Sequence, residues 1–224
     1  SLPLGDFYRA ARLVPDSTLR VVGELKEAFA PSVVPMDLEP QIAPYDKVFA
    51  TLRPGAEAQV GDRFALLRPG RLVAPYGRIY AATGEAVVTA VDGAVVTVEV
   101  ERMYDRVSVG DLLVPTEAPP SATDAASPAP LTGRLVALQN DSPLPSLQDI
   151  GFVDLGRSDG VQEGDGLEVL LPPERESWGV RPTEVIARLK VVRVADATST
   201  VRVLQLTEPA LREGLPVRRA ASTP

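Results

Sequence analysis

The sequence predicts a mainly β protein: two tandem small β-barrels related by internal duplication, preceded by an N-terminal arm that is extended or briefly helical. Three observations predict it. First, Val, Ile, Thr and Leu fill short runs with turn signals roughly every 8–12 residues, the spacing of small sandwiches and barrels. Second, the 22 prolines cluster between these runs rather than inside them. Third, AQVGDRFALLRPG at 58–70 aligns with VQEGDGLEVLLPP at 161–173, and TGEAVVTAV…VSVGDLLV at 83–114 with PTEVIARLK…REGLPV at 182–217. The offset is 103 residues from Gly61 to Gly164 and 104 from Gly110 to Gly214. Nearly equal offsets point to one repeated unit. Closure into a barrel removes the open edges that strands of this composition would otherwise present.

The elements follow in chain order. Residues 1–44 read as an arm and strap packing on the first barrel. FYRAARLV suggests a short helix over 5–14, and Leu19, Val21 and Val22 a strand that Gly23 punctuates. Pro31, Pro35, Pro40 and Pro44 then disfavour helix and suggest an extended strap. Residues 45–115 form the first barrel. Its clearest hairpin is EAVVTAV and AVVTVEVE joined by Asp92-Gly93, a preferred pair for a primed two-residue turn. Residues 116–130, TEAPPSATDAASPAP, cannot bury a core and read as a linker. Residues 131–219 form the second barrel, with a possible single helical turn near 208–213, and 220–224 a polar tail.

The composition excludes several chemistries. The chain has no His and no Cys, so it supplies no conventional zinc, copper, iron–sulfur or haem site. A Ser-His-Asp triad, a Cys nucleophile and a disulfide are equally excluded. No cofactor is expected. A net charge of -7 without a Lys/Arg run argues against nucleic acid and anionic lipid as partners. No stretch approaches the roughly 20 apolar residues that cross a bilayer, so no transmembrane segment is expected.

The recurrent element is Val-x-x-Gly-Asp and its variants: Gly61-Asp62, Gly110-Asp111, Gly164-Asp165 and the degenerate Arg212-Glu213-Gly214. Gly accepts positive φ and Asp bonds nearby backbone, so these read as turns whose preceding apolar residue plugs a barrel end. The densest acidic cluster is Asp154, Asp159, Glu163 and Asp165. It suits a weak cation or a glycosidase-type carboxylate pair, but two successive turns explain the same spacing. The candidate partner-binding residues are Phe7 and Tyr8 in the arm, Tyr76 and Tyr80 in APYGRIY, and Arg175, Trp178 and Arg181 in ERESWGVR. Exposed aromatic and Arg side chains anchor partners by burial and bidentate contacts. No catalytic or metal-binding residue is assigned.

The order FYRAARLV, VVGEL, PYDKVFATL, VGDRFALLRPGR, TGEAVVTAV, VSVGDLLVP, linker, GFVDLG, GVQEGDGLEVL resembles the C-terminal region of bacterial envelope proteins that carry an N-terminal LysM module. The LysM module itself is absent here. The element from Gly156 to Val169 is also similar to the C-terminal domain of the flagellar assembly protein T. The resemblance implies a periplasmic, peripherally membrane-associated protein with a structural or docking role, and no catalytic residues. The expected function is that of a non-catalytic accessory subunit docked through barrel loops and extended arms on a larger membrane protein assembly, whose type no residue distinguishes. The alternative is a peptidoglycan- or glycan-binding module using Trp178 or Tyr76 and Tyr80. A carboxylate-dependent hydrolase ranks last.

Overall fold

The computed structural model describes residues 4–28, 42–118, 130–140, 146–177, 179–207 and 211–220. The protein is mainly β and divides into two compact units. The first comprises 15–71 and 80–118; the second comprises 1–14, 72–79 and 119–224.

The first unit holds β2 (Gly23–Ala28), β3 (Lys47–Leu52), β6 (Val95–Met103) and β7 (Leu112–Pro115), with most of β4 (Arg63–Val73) and β5 (Gly77–Asp92). The strand order is β5-β4-β7-β2-β3-β6, and a β5–β6 pairing joins the two ends of the row. Alternation drives this arrangement. Val96, Val98 and Val100 point inward and are fully buried, while the residues between them are partly exposed. They meet Leu25, Val48 and Leu66 in one core. The β5–β6 turn is shifted by one residue from the expected pair. Asp92 pairs with Val95, so Gly93 and Ala94 make the turn. Gly93 at φ 60° takes the first central position, where a type II′ turn needs glycine.

The second unit contains a closed barrel ordered β10-β13-β14-β9-β8-β15. Its strands are β8 (Thr132–Leu138), β9 (Ile150–Val153), β10 (Gly166–Leu171), β13 (Glu184–Val194), β14 (Ser199–Leu206) and β15 (Pro216–Arg219). A separate two-stranded ribbon, β11 (Glu174–Glu176) and β12 (Gly179–Arg181), lies between β10 and β13 in the chain. The same unit takes in α1 (Leu4–Arg9), β1 (Arg12–Val14) and the tip of the β4–β5 hairpin.

Matching β2 to β8, β3 to β9, β4 to β10, β5 to β13, β6 to β14 and β7 to β15 gives both rows the same cyclic order. The agreement reaches single hydrogen bonds. The Gly61 N–H donates to the Val88 carbonyl at 2.9 Å, and Gly164 N–H to Val191 at 2.8 Å. The bulge between Leu25 and Glu27 recurs between Leu135 and Ala137. Eighteen residues separate β2 from β3 and eleven separate β8 from β9, so the β2–β3 connection is seven residues longer.

Three expectations are corrected here. The first set of strands begins at Gly23 rather than at residue 45, because Leu25 is a core residue. Residues 4–14 belong with the second unit instead of the first barrel. The cause is visible in their contacts. The Thr200 and Thr198 hydroxyls donate to the Ala11 and Leu13 carbonyls at 2.7 and 2.6 Å. Arg202 pairs with Asp6 at 2.7 Å. The helix spans six residues, shorter than the 5–14 segment suggested. The prolines at 31, 35 and 40, most of the linker and the end of the tail lie outside the described residues.

Gly61, Gly110, Gly164 and Gly214 all have positive φ, between 89° and 96°. A Cβ at Gly61 or Gly164 would meet no neighbour within 4 Å, so the cost of adding one is purely conformational. Gly61→Ala and Gly164→Ala are therefore each expected to destabilise by about 1–2 kcal/mol, measured as a lower urea midpoint with an unchanged m-value.

Candidate functional site

Six of the chain's aspartates serve as turn clamps. In each clamp an Asp side chain accepts the backbone N–H of the residue three positions earlier. Asp46 accepts from Ala43 at 2.8 Å, Asp62 from Gln59 at 2.8 Å and Asp111 from Ser108 at 3.0 Å. Asp149 accepts from Ser146 at 2.7 Å, Asp159 from Gly156 at 2.8 Å and Asp165 from Gln162 at 3.1 Å. The apolar residue three before the glycine is buried at Val107, Val161 and Leu211, whereas Val60, directly before Gly61, is exposed and plugs nothing.

The acidic cluster resolves into separate structural partners. Asp154 accepts from the Arg134 N–H and, at 3.4 Å, from the Tyr76 hydroxyl. Asp159 closes its own turn, and Glu163 accepts the Val194 N–H at 3.2 Å. Asp165 also receives Arg219 at 3.0 Å. Among the described residues no group of three or more carboxylates is placed to hold a metal ion.

Two polar constellations in the first unit go beyond turn closure. Asp111, almost fully buried, accepts from the Thr83 hydroxyl at 2.8 Å and from Arg68 Nε at 3.1 Å. Arg68 also donates to the Arg106 carbonyl. In the second unit the corresponding positions are Leu215, Ile186 and Leu171, all buried and apolar. The same strand framework thus carries a hydrogen-bonded ionic cluster in one unit and a hydrocarbon cluster in the other.

The second constellation is Glu85, Tyr104 and Arg102. The Tyr104 hydroxyl donates to Glu85 Oε1 at 2.6 Å, and Arg102 lies 3.6 Å from Oε2. Burial, then the hydrogen bond to Glu85 and its charge, raise the Tyr104 phenol well above its ordinary value, against an opposing effect of Arg102. Tyr76 shifts the same way, through burial and then the charge of Asp154.

The candidate partner-binding residues are not gathered at one place. Phe7 is buried, with the Arg193 guanidinium 4.3 Å from its ring centre and Tyr8 edge-on at 5.5 Å. Tyr80 is buried in the first unit and donates to Asp16 at 2.8 Å. Tyr76 is half-buried in the second unit, packed with Val73, Ile79, Ala137 and Phe152. These side chains work inside the fold. Arg175 is exposed on β11, and Arg181 on β12 pairs with Glu174 at 3.1 Å. Trp178 lies outside the described residues.

The clamps at Asp46 and Asp149 escaped the sequence reading. Their turns place Tyr45 and Gln148 at φ 70° and 76°, the two described non-glycine residues with positive φ. The available signal was an Asp recurring at the 103-residue offset, weak because the flanking residues PY and LQ share no chemistry.

Asp111→Ala is expected to cost about 3–5 kcal/mol in chemical denaturation, because Arg68 and the Ser108 N–H lose a buried acceptor. The combined Arg68→Leu, Thr83→Ile, Asp111→Leu variant is expected to recover most of that loss. A second expectation concerns pH. A phenol whose folded pKa is raised stabilises the fold below its unfolded value, and loses that contribution as pH rises beyond it. The stability gap between wild type and Tyr104→Phe should therefore hold to about pH 9 and narrow as pH rises past about 10, followed by urea midpoints.

No protein-family model matches the chain, and comparison with curated proteins yields no match.

Proposed function

We propose that this protein is a non-catalytic accessory component of the bacterial cell envelope, docking on a larger assembly through its loops and hairpins. One observation carries the reading. The four buried carboxylates among the described residues, Glu85, Asp111, Asp165 and Glu168, are each engaged by hydroxyl, backbone N–H or guanidinium groups of the framework. What the chain offers outward is instead a set of turn-borne apolar and charged side chains. Tyr45, Val60 and Val109 in the first unit, and Leu147 and Val180 in the second, are exposed beside turns or on the β11–β12 ribbon. Exposed apolar groups rimmed by charge suit protein recognition. The envelope location rests on the resemblance of the turn motifs and strand order to LysM-linked envelope proteins.

We also read the two units as products of one tandem duplication. The shared cyclic strand order, the repeated bulge and the clamps at constant offset support it. On this reading divergence left a polar cluster around Asp111 in one copy and leucine and isoleucine at the corresponding positions of the other.

The test is gentle detergent extraction of native membranes carrying the tagged chain. Stoichiometric co-purification with a membrane protein complex is expected. Recovery as a free protein that sediments with purified peptidoglycan would instead establish the glycan-binding alternative.

A further inference from the structure

We propose that the outer wall of the second unit's barrel binds an extended acidic segment of a partner protein, through Arg188 on β13 and Arg218 on β15. The inference rests on the accessory-subunit reading above and adds the partner's chemistry and the residues that meet it.

Register places the site. Arg218 pairs with Thr132 on one side and with Glu168 on the other. Glu168 pairs in turn with Arg188, and Arg188 with Gln205. Thr132, Arg218, Glu168, Arg188 and Gln205 thus form one row across five adjacent strands. Residues in such a row share a face of the sheet. Their neighbours along the strands, Leu167, Val169, Leu189 and Val217, belong to the barrel core, so the row faces outward.

Burial within the row is uneven. The central Glu168 side chain is 8% exposed, while those of Arg188 and Arg218 are 57% and 51% exposed. Arg218 donates from Nε and Nη2 to the same Glu168 oxygen, at 3.0 and 2.9 Å. Arg188 stands 3.8 Å from the other oxygen, beyond hydrogen-bond reach. A buried carboxylate therefore positions two exposed guanidiniums. Each keeps N–H donors that no acceptor among the described residues takes up.

The trio is not part of the frame that the two units hold in common. At the offsets of 103 and 104, its counterparts in the first unit are Ala65, Glu85 and Val114. Ala65 pairs with Val114 just as Glu168 pairs with Arg218. The strands close equally well around an alanine and a valine. Two cations and one anion also make the row positive, on a chain whose net charge is -7.

The central carboxylate selects the ligand. A compact dianion such as phosphate, placed to bridge the guanidiniums, would lie against the fixed charge of Glu168. Two separate monoanions, one beyond each guanidinium, avoid it. An extended peptide supplies that pattern, because side chains of residues i and i+2 leave the same face about 7 Å apart. The strands of Arg188 and Arg218 are two spacings apart, about 10 Å, and both side chains reach inward to Glu168. Arginine suits the task, since its planar fork meets a carboxylate through two N–H groups. The chain's overall negative charge acts against extended polyanionic surfaces more than against a short acidic segment.

Fluorescence anisotropy of a labelled alternating Glu-Thr peptide, titrated with the full chain, tests the proposal. Saturable binding that weakens as salt rises is expected. Arg188→Gln and Arg218→Gln should each weaken it about tenfold, and the two together should remove it. Arg53→Gln, at an exposed arginine of the first unit, should leave it unchanged. Glu168→Gln removes the central charge and keeps an oxygen for Arg218. The preference for the peptide over inorganic phosphate should then fall about fivefold or more. Unchanged thermal melts of the variants would exclude misfolding. Absence of saturable peptide binding at low salt overturns the proposal, as does binding that Arg53→Gln weakens as much as Arg188→Gln. Capture by phosphatidylserine vesicles without any preference for the peptide would overturn it in favour of a lipid surface. Peptide binding without membrane co-purification would count against the accessory-subunit reading alone. Co-purification undiminished by the Arg188→Gln/Arg218→Gln pair would count against this proposal alone.

Discussion

The interaction on which both units depend is the hydrogen bond from a backbone N–H to the carboxylate of an aspartate three residues on. It folds the chain back before β3, β4 and β7 in the first unit and before β9 and β10 in the second. The clamped turn also feeds the neighbouring strands. The Asp62 carbonyl accepts the Val88 N–H and the Asp165 carbonyl accepts that of Val191, each at 2.9 Å. One residue therefore closes a turn with its side chain and begins a ladder with its backbone. A charged acceptor makes this bond stronger than a neutral one, and a partly buried turn would otherwise leave a donor unsatisfied.

Around that common frame the cores are filled by different chemistry. Asp111, Arg68 and Thr83 satisfy one another in the first unit, whereas Leu215, Leu171 and Ile186 occupy the same positions in the second. A buried ionic cluster is weak evidence for stability, because desolvation offsets much of its attraction. Its presence in one unit and absence in the other means that the architecture itself does not require it. The backbone pattern, set by alternating apolar residues and clamped turns, is the part that both units hold in common.

Alternation and turn chemistry made the β class readable from the sequence, and the runs at 63–73 and 184–194 were legible to their ends. The placement of residues 4–14 was not readable. FYRAARLV carries apolar side chains that fit either unit, and only the matching surface of Thr198, Thr200 and Phe152 decides between them. Asp159 and Asp165 of the acidic cluster were legible as turns, because an Asp beside Gly carries its own geometric explanation, whereas Asp154 and Glu163 bond backbone far along the chain. The aromatic candidates were less legible. A lone Phe or Tyr reads the same whether it meets a partner or, as with Phe7 and Tyr80, the protein's own interior.

The longer β2–β3 connection has a consequence for how such a chain can change. The two units keep matching hydrogen bonds although this one segment differs by seven residues. The entropy of closing a loop rises only by about 0.6 kcal/mol per doubling of length. Length can thus drift at this position while the strands on either side stay fixed by their clamps. It is the natural point at which to graft a foreign peptide or fluorescent reporter without disturbing the ring of strands.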